Sequence, residues 1–522
     1  MKKLSKLLVL SALGICLPTL AGCNRHSDNI NKKGRFSIVY YPGGYGSEYL
    51  HTIVKDFLAD KKGTTPDQIK SGKDYILQPD EDITYGADYW ITSKERCPDL
   101  IISNLMSPEA VTKGYIANLD DVFTSEVETS GGRKTINEFV MPEAAEQYHF
   151  KLKNQEGLSK HNFAMPWTAI PLSIAYNNTI LRQITHVSSI PVGVDALDGN
   201  NKWERAPKTV EELKAIFEDA QAYNPNLTKF GWAAVNGTNW FEPLITTWWA
   251  QRQGVDAPHQ YTSEGSYYDF WKYDSADIFK QTGLQDALGT IKDLLVKNGQ
   301  FVNSFPSVGS MTIKNAQQAF AEGKALFCLT GDFFEKEYKS FIDASGQDFR
   351  MMRVPSIDGA ELNDQGKVKD LSFLNISSCA YVPKNSANKE LAKEFLVYTS
   401  SEDVCKQISM MTGAIRPFAY DARTATGYSE MSNFTKSVYD LYYEADDYLV
   451  KFPRNIDSED ISPIYIYEGV SEIIFQGINY YTAISSLKTM TPNQLMITGT
   501  SSFESVYSRA VRQFEEWRRI YG

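Results

Sequence analysis

From Phe36 onward, β-branched and aromatic runs alternate with amphipathic helical segments for roughly 400 residues, and such alternation predicts α/β domains built on open sheets. Residues 36–41 read as a buried strand, and Pro42-Gly43-Gly44-Tyr45-Gly46 turns the chain. Ser47 stands at the cap of a helix whose apolar positions are Leu50, Ile53, Val54, Phe57 and Leu58. Strand, glycine turn and helix make half of a βαβ unit.

The same grammar recurs. Residues 99–103 read as a short strand followed by a helix opening at Ser107-Pro108-Glu109, and residues 172–176 as another strand. Thr209 and Glu212 have the spacing of a capping box for the next helix. Strands are expected at 230–235, 325–329, 351–354 and 376–382, and helices at 242–251, 316–322 and 389–398. Residues 61–95 show no clear periodicity and read as an insertion or an irregular edge. Residues 420–522 turn helical, with Phe503, Val506, Ala510, Phe514 and Trp517 on nearly one helical face.

The N-terminus has a different character. Met-Lys-Lys-Leu-Ser-Lys precedes an apolar stretch from Leu7 to Leu17 and then Leu20-Ala21-Gly22-Cys23. A basic head, a short apolar core and small residues form a secretory signal, not a spanning helix. With a cysteine directly after Ala-Gly, the segment resembles a bacterial lipobox, which implies that Cys23 is acylated and becomes the mature N-terminus. A plain cleaved signal with a chance cysteine is the alternative. Removing residues 1–22 leaves 500 residues, enough for two to four domains, and takes away three lysines, so the formal charge moves from −11 to −14. An acidic surface argues against a nucleic-acid partner. No later stretch supplies the roughly 18 consecutive apolar residues of a membrane span, so the lipid is the expected attachment. Residues 24–34 are polar and read as a flexible tether. Cys97, Cys328, Cys379 and Cys405 fit neither a compact metal site nor a C-x-x-C pair. Cys328 and Cys379 lie in strand-like runs, where a free cysteine packs as a small apolar residue. One disulfide is permitted outside the cell and none is required.

Seven segments, in order, resemble the bacterial extracellular solute-binding proteins of sugar ABC importers, the group that includes the maltodextrin-binding proteins. They are residues 36–46 with the helix through Lys55-Asp56-Phe57, Cys97-Pro98-Asp99 and the strand after it, residues 171–177, 207–213, 323–333, 382–395, and Thr412-Gly413 through Arg416-Pro417. The likeness spans residues 35–420 and is loose beyond. It implies a two-lobed, type II periplasmic-binding-protein-like α/β fold with ligand in the interlobe cleft, at the carboxyl ends of sheet strands, and hinge closure over it. The implied division is a lipoprotein signal peptide at 1–22, a lipidated tether at 23–34, a first lobe at 35–165 with 376–416, and a second lobe at 166–375 with 417–522. Crossings between lobes are expected near 166–170, 375 and 412–417. The implied role is the lipid-anchored, monomeric binding component of an ABC importer, handing a carbohydrate, an oligosaccharide, to the transmembrane permease subunits, with no catalysis, cofactor or metal.

Sugar recognition combines aromatic rings on the apolar C–H faces of a pyranose with polar groups that satisfy its hydroxyls. Aromatic residues make up 13% of the chain, which supplies rings without locating a site. The match places candidates at Gly44 and Tyr45, where the alternative is a tight turn with an exposed ring. Asn104 reads as a cleft contact or a helix-entry residue, and Trp167 as a cleft wall or a hinge packing residue, with the wall favoured. Asn239 and Trp240 occupy a loop where relatives carry contacts, whereas Trp248 and Trp249 in the following helix read as core. In Gly331-Asp332-Phe333, relatives usually carry Trp at the position of Phe333, and it stacks on sugar. Phe keeps the apolar face and loses the indole donor, which weakens any claim to maltodextrin itself. Asp332 accepts from hydroxyls or caps the following helix, and Arg416 reaches ligand or, preferably, forms an interlobe ion pair.

Three rival readings stand beside this one. A secreted carbohydrate-active enzyme would share the composition, and paired carboxylates are a fact of structure, not sequence. G-x-S-x-G, H-E-x-x-H and a Cys/His nucleophile signature are absent, and the six histidines are scattered. The same fold binding a peptide, polyamine or phosphate ester is the second rival, although no candidate loop clusters Arg or Lys. An adhesin or surface scaffold is the third.

Overall fold

The computed structural model describes residues 30–85, 87–104, 106, 110–111, 113–146, 149–154, 157–233, 238–255, 281–376, 378–450 and 485–497. Several expectations therefore lie outside the described residues: the signal segment with Cys16 and Cys23, the helix opening at 107–109, strand residues 234–235, and the helix over 503–521.

The strands fall into two larger sheets and three small hairpins; one core runs from the first sheet onto one face of the second, and another fills the second sheet's opposite face. In the first sheet Phe36–Tyr40 lies parallel to Tyr75–Pro79 on one side and to Leu100–Ser103 on the other. The strand Cys379–Tyr381, from far along the chain, inserts between Leu100–Ser103 and Met165–Pro166, antiparallel to both. Because strand side chains alternate in direction, Phe36, Ile38, Tyr40, Leu100, Ile102 and Ala380 enter one core. Val39, Ile101, Cys379 and Tyr381 enter a smaller core on the opposite face. Both faces are buried, which explains why these strands read as continuous apolar runs. On the larger face, the helices Glu48–Lys62 and Lys389–Thr399 bring Phe57 and Phe395 against Phe36, with centroids 5.2–6.2 Å apart.

The second sheet is centred on Ile170–Asn177. Ala325–Gly331 pairs antiparallel on one side, with Thr228–Gly231 parallel beyond it. Phe349–Met352 and Leu371–Asn375 pair with successive parts of its other edge, and Asp447–Val450 lies parallel outside Leu371–Asn375. The helices Val210–Tyr223, Glu242–Gln253 and Thr282–Leu295 cover one face, with Trp203, Trp232, Trp248 and Trp249 fully buried among them.

The chain passes from the first sheet to the second at residues 167–169 and returns between Asn375 and Cys379. These segments touch: Trp167 N donates to Ser378 O at 2.7 Å, and Ala169 N to Ile415 O at 2.9 Å. Beyond 415 the chain stays with the first sheet's surroundings, since Met141 N bonds Pro417 O and Ala419 N bonds Phe139 O. Only afterwards does the helix Asn433–Tyr443 pack on the second sheet's strand Phe349–Met352.

Some local expectations need correcting. Residues 61–95 are not wholly irregular, because Tyr75–Pro79 forms the edge strand of the first sheet. The run at 376–382 keeps only Cys379–Tyr381 as strand, and its neighbour Leu371–Asn375 belongs to the other sheet. Ser47 occupies the cap position without a capping hydrogen bond. Thr209 does cap its helix, but the Glu212 carboxylate turns to Arg205, Gly193 N and Lys208 N, so the box is not reciprocal. Cys97, Cys328, Cys379 and Cys405 are buried and not joined in disulfides, and burial pushes the Cys97 thiol up to about 12 and that of Cys405 to about 11. Such thiols are inert packing groups.

Candidate functional site

Two loops, one from each sheet, meet at the carboxyl ends of their strands. The first is the turn after Phe36–Tyr40. Gly44 has φ +77°, a conformation natural to glycine, and Tyr45 N donates back to Gly43 O at 2.9 Å. That amide is consumed inside the turn and does not face a ligand.

The second loop follows Ala325–Gly331. A Cβ on Gly331 would lie 2.7 Å from Phe333 Cε1 and 2.9 Å from Leu172 Cδ2. Only glycine leaves room for the Phe333 ring to fold back over the strand end. The ring then meets Trp240, from the short turn Thr238–Phe241, edge to face with centroids 5.9 Å apart at 71°. Both rings are half-buried, so together they form an aromatic corner that keeps some open surface.

Between the loops, Tyr45 Oη donates to Asp332 Oδ1 at 2.5 Å, and a Cβ on Gly44 would sit 3.1 Å from Phe333 Cβ. Asp332 is 3% exposed, and its second oxygen, Oδ2, makes no hydrogen bond. Burial pushes this carboxyl up to about 7, opposed by the Tyr45 hydroxyl and the nearby backbone N–H groups of Ile415 and Phe333. Burial and the Asp332 charge push the Tyr45 phenol well above its ordinary range, so it remains a donor.

Five of the nine residues expected at the site therefore come together: Gly44, Tyr45, Trp240, Asp332 and Phe333. Asn104 follows the Leu100–Ser103 strand and is half-buried. The Asn239 side chain lies outside the described residues. Trp248 and Trp249 are core, as expected, donating to Pro355 O and Gln281 Oε1.

Trp167 and Arg416 are corrections. Trp167 is 2% exposed, donates to Tyr49 Oη at 3.2 Å, and carries the Arg416 guanidinium 4.0 Å from its ring centroid. It packs the crossing and offers no wall. Arg416 is 0% exposed and pairs with no described carboxylate. Its partners are the carbonyls of Trp167 and Thr399 and the rings of Trp167 and Phe418. A guanidinium is weakly hydrated and stacks on rings, which is how the crossing holds it without an anion.

The sequence reading missed two tyrosines that frame this region. Tyr49 anchors Trp167, and Tyr439, whose hydroxyl donates to Ser409 O at 3.0 Å, lies near enough to Tyr45 and Asp332 to act on them electrostatically. Tyr49 carried a signal, since it shares the helix face of Ile53 and Leu50; Tyr439 carried none. Among the described residues no group of His, Cys, Asp and Glu could hold a metal ion. Chemically, the corner offers an apolar ring face beside a buried carboxyl oxygen that lacks a donor.

A family model for the bacterial extracellular solute-binding protein family matches residues 95–436. No curated protein matches the chain. Among solved structures, a probable secreted solute-binding lipoprotein from Streptomyces coelicolor is similar with a TM-score of 0.57 at 14% identity, covering 90% of this chain and 98% of its own. The GacH receptor of Streptomyces glaucescens, solved unliganded and with acarbose and an acarbose homolog, gives 0.56 at 15% identity, covering 91% and 99%. At these identities the likeness concerns the fold: two lobes, matched along nearly the whole chain.

Proposed function

The chain belongs to the bacterial extracellular solute-binding proteins, and on that footing we propose that it binds a carbohydrate, an oligosaccharide, between its lobes and delivers it to an ABC permease. The family implies an extracytoplasmic location, a ligand and an ABC transporter partner. No helix among the described residues is long and apolar enough to cross a membrane. Attachment is assigned to an acylated Cys23 behind a cleaved signal at 1–22, with 23–34 as tether. The protein acts as a monomer and performs no chemistry on its ligand.

One observation carries the carbohydrate reading: the half-buried edge-to-face pair of Phe333 and Trp240 beside the unpartnered Asp332 Oδ2. Rings take the C–H face of a pyranose, and the carboxyl oxygen takes a hydroxyl proton that would be costly to bury unpaired. Gly44, Tyr45, Asn104 and Asn239 complete the assigned contacts, while Trp167 and Arg416 hold the crossing. That GacH binds acarbose supports a sugar on this fold. A phosphate ester is disfavoured because Arg416, the cation expected nearest the cleft, turns into the core.

A thermal-shift screen over mono- and oligosaccharides, peptides and phosphate esters tests the proposal. A ligand at 100 times its dissociation constant adds about 2.7 kcal/mol of stability. An oligosaccharide is expected to raise the midpoint by several degrees. A shift with peptides or phosphate esters and none with sugars would remove the carbohydrate assignment.

A further inference from the structure

We propose that the pole of the first lobe at which its sheet strands begin is a basic docking surface for anionic lipid headgroups, held near the bilayer by the chain that enters there. The geometry rests on reading Cys23 as the lipid anchor, whereas the test does not require acylation.

The chain joins the fold earlier than a tether running to residue 34 implies. Ile30 is buried in the smaller core with Val39, Ile101 and Tyr381. Asn31 is fixed at every polar group of its side chain: Nδ2 donates to Lys94 O at 2.7 Å and to Asn385 O at 3.0 Å, and Oδ1 accepts from Ala387 N at 2.7 Å. Its backbone N donates to Glu95 O at 3.1 Å. Asn388 closes over the segment, accepting from Gly34 N and donating to Lys32 O and Arg35 O at 2.8–3.1 Å. Buried apolar contact and a dense set of hydrogen bonds resist local opening. Only residues 23–29 then separate the assigned anchor from the lobe, and a chain of that length spans at most about 25 Å. This pole therefore stays close to the bilayer.

Its charge is opposite to that of the chain. The whole sequence carries −11. Residues 30–35, 94–96 and 384–390, joined by the bonds above, hold seven basic residues against two acids, Glu95 and Glu390. Lys32, Lys33, Lys94, Arg96 and Lys384 are exposed. Arg96 lies 5.3 Å from the centre of the Tyr89 ring, which is 54% exposed, and an amphipathic ring beside a cation suits the headgroup level of a bilayer. The hairpin of His149–Asn154 and Gly157–Asn162 has its base at the same end, where Leu119 N donates to Asn162 O and Ala117 N to Val382 O. Its sequence adds Lys151, Lys153 and Lys160. An anionic bilayer repels an acidic protein as a whole, so contact has to run through a local basic face. Each basic residue brought to such a surface strengthens binding about fivefold.

Flotation with vesicles tests this on the chain from residue 23 onward, made without acylation, which retains every described residue. The vesicles are phosphatidylcholine alone or with about one-third phosphatidylglycerol, at roughly 0.05 and 0.5 M salt. Two variants are compared, with thermal melts reporting folding: Lys32→Glu, Lys33→Glu, Lys94→Glu and Lys384→Glu combined, and Lys297→Glu, Lys336→Glu, Lys339→Glu and Lys367→Glu combined. The second set matches the first in net charge and lies on the other lobe. The native chain is expected to bind the anionic vesicles at low salt, to leave them at high salt and to ignore phosphatidylcholine. The first variant should bind at least tenfold more weakly, and the second should keep most of the native affinity. No binding of the native chain to anionic vesicles, or an equal loss in the two folded variants, would overturn the proposal. So would binding to soluble polyphosphate without binding to vesicles, which would make the pole a site for a polyanion and not for a lipid surface. Mass spectrometry of the N-terminal peptide from cells reads the anchor separately: an unacylated Cys23 removes the anchor and leaves the vesicle result to stand.

Discussion

At Arg416 the protein buries a guanidinium in the crossing between its lobes with two carbonyls and two aromatic rings as partners. Lysine offers no planar face for Trp167 and no fork to reach both carbonyls. Arg416→Lys is therefore expected to destabilise the fold by about 2–3 kcal/mol, and Arg416→Ala by more, since it adds a cavity. Thermal unfolding followed by circular dichroism checks the order, and an unchanged midpoint in Arg416→Lys would contradict it. None of this was legible in the sequence, where an arginine before proline looks the same in a core or a cleft. Gly331-Asp332-Phe333, by contrast, was legible, because the residues that shape the loop are consecutive. The pairing of Asp332 with Tyr45 was not, since it depends on how two distant loops approach.

Among the larger elements, the irregular excursion between residues 182 and 209 is anchored to the helix Val210–Tyr223 through Glu212 at its later part and Asp219 at its earlier part. Asp219 is fully buried and accepts from Val187 N, Ser188 N, His186 Nδ1 and Trp203 Nε1 at 2.7–2.8 Å. Asp219→Ala orphans all four donors at once, and each is costly if left unpaired. A loss of about 3 kcal/mol is expected in urea unfolding, together with faster proteolytic cleavage between 186 and 203. Cleavage unchanged from the native protein would mean that the excursion is held otherwise. Elements of this kind separate what pattern can and cannot reveal. Glu48–Lys62 and Ala325–Gly331 were readable because their periodicity reports burial directly. Tyr75–Pro79 was not, because an edge strand is only partly buried and its apolar run is short. Leu371–Asn375 was lost because the sheet it joins is chosen by the crossing, not by its own residues.

For the whole molecule, order along the chain and order in space diverge at the crossings, where Cys379–Tyr381 slots into a sheet begun over 300 residues earlier. Alternation of strands and helices indicated α/β lobes, but only the pairing shows that Trp167 lies beside Ser378 and Ala169 beside Ile415. That arrangement leaves Tyr45 on one lobe bonded to Asp332 on the other, beside the Phe333–Trp240 pair, and the central claim is that an oligosaccharide binds there. Isothermal titration calorimetry tests it most directly, using the oligosaccharide with the largest thermal shift against the native protein and Phe333→Ala. The account predicts saturable one-to-one binding to the native protein and a dissociation constant roughly tenfold or more higher in the variant, about 1.4 kcal/mol of lost stacking. Equal affinity in the two proteins, with the variant folded, would contradict it.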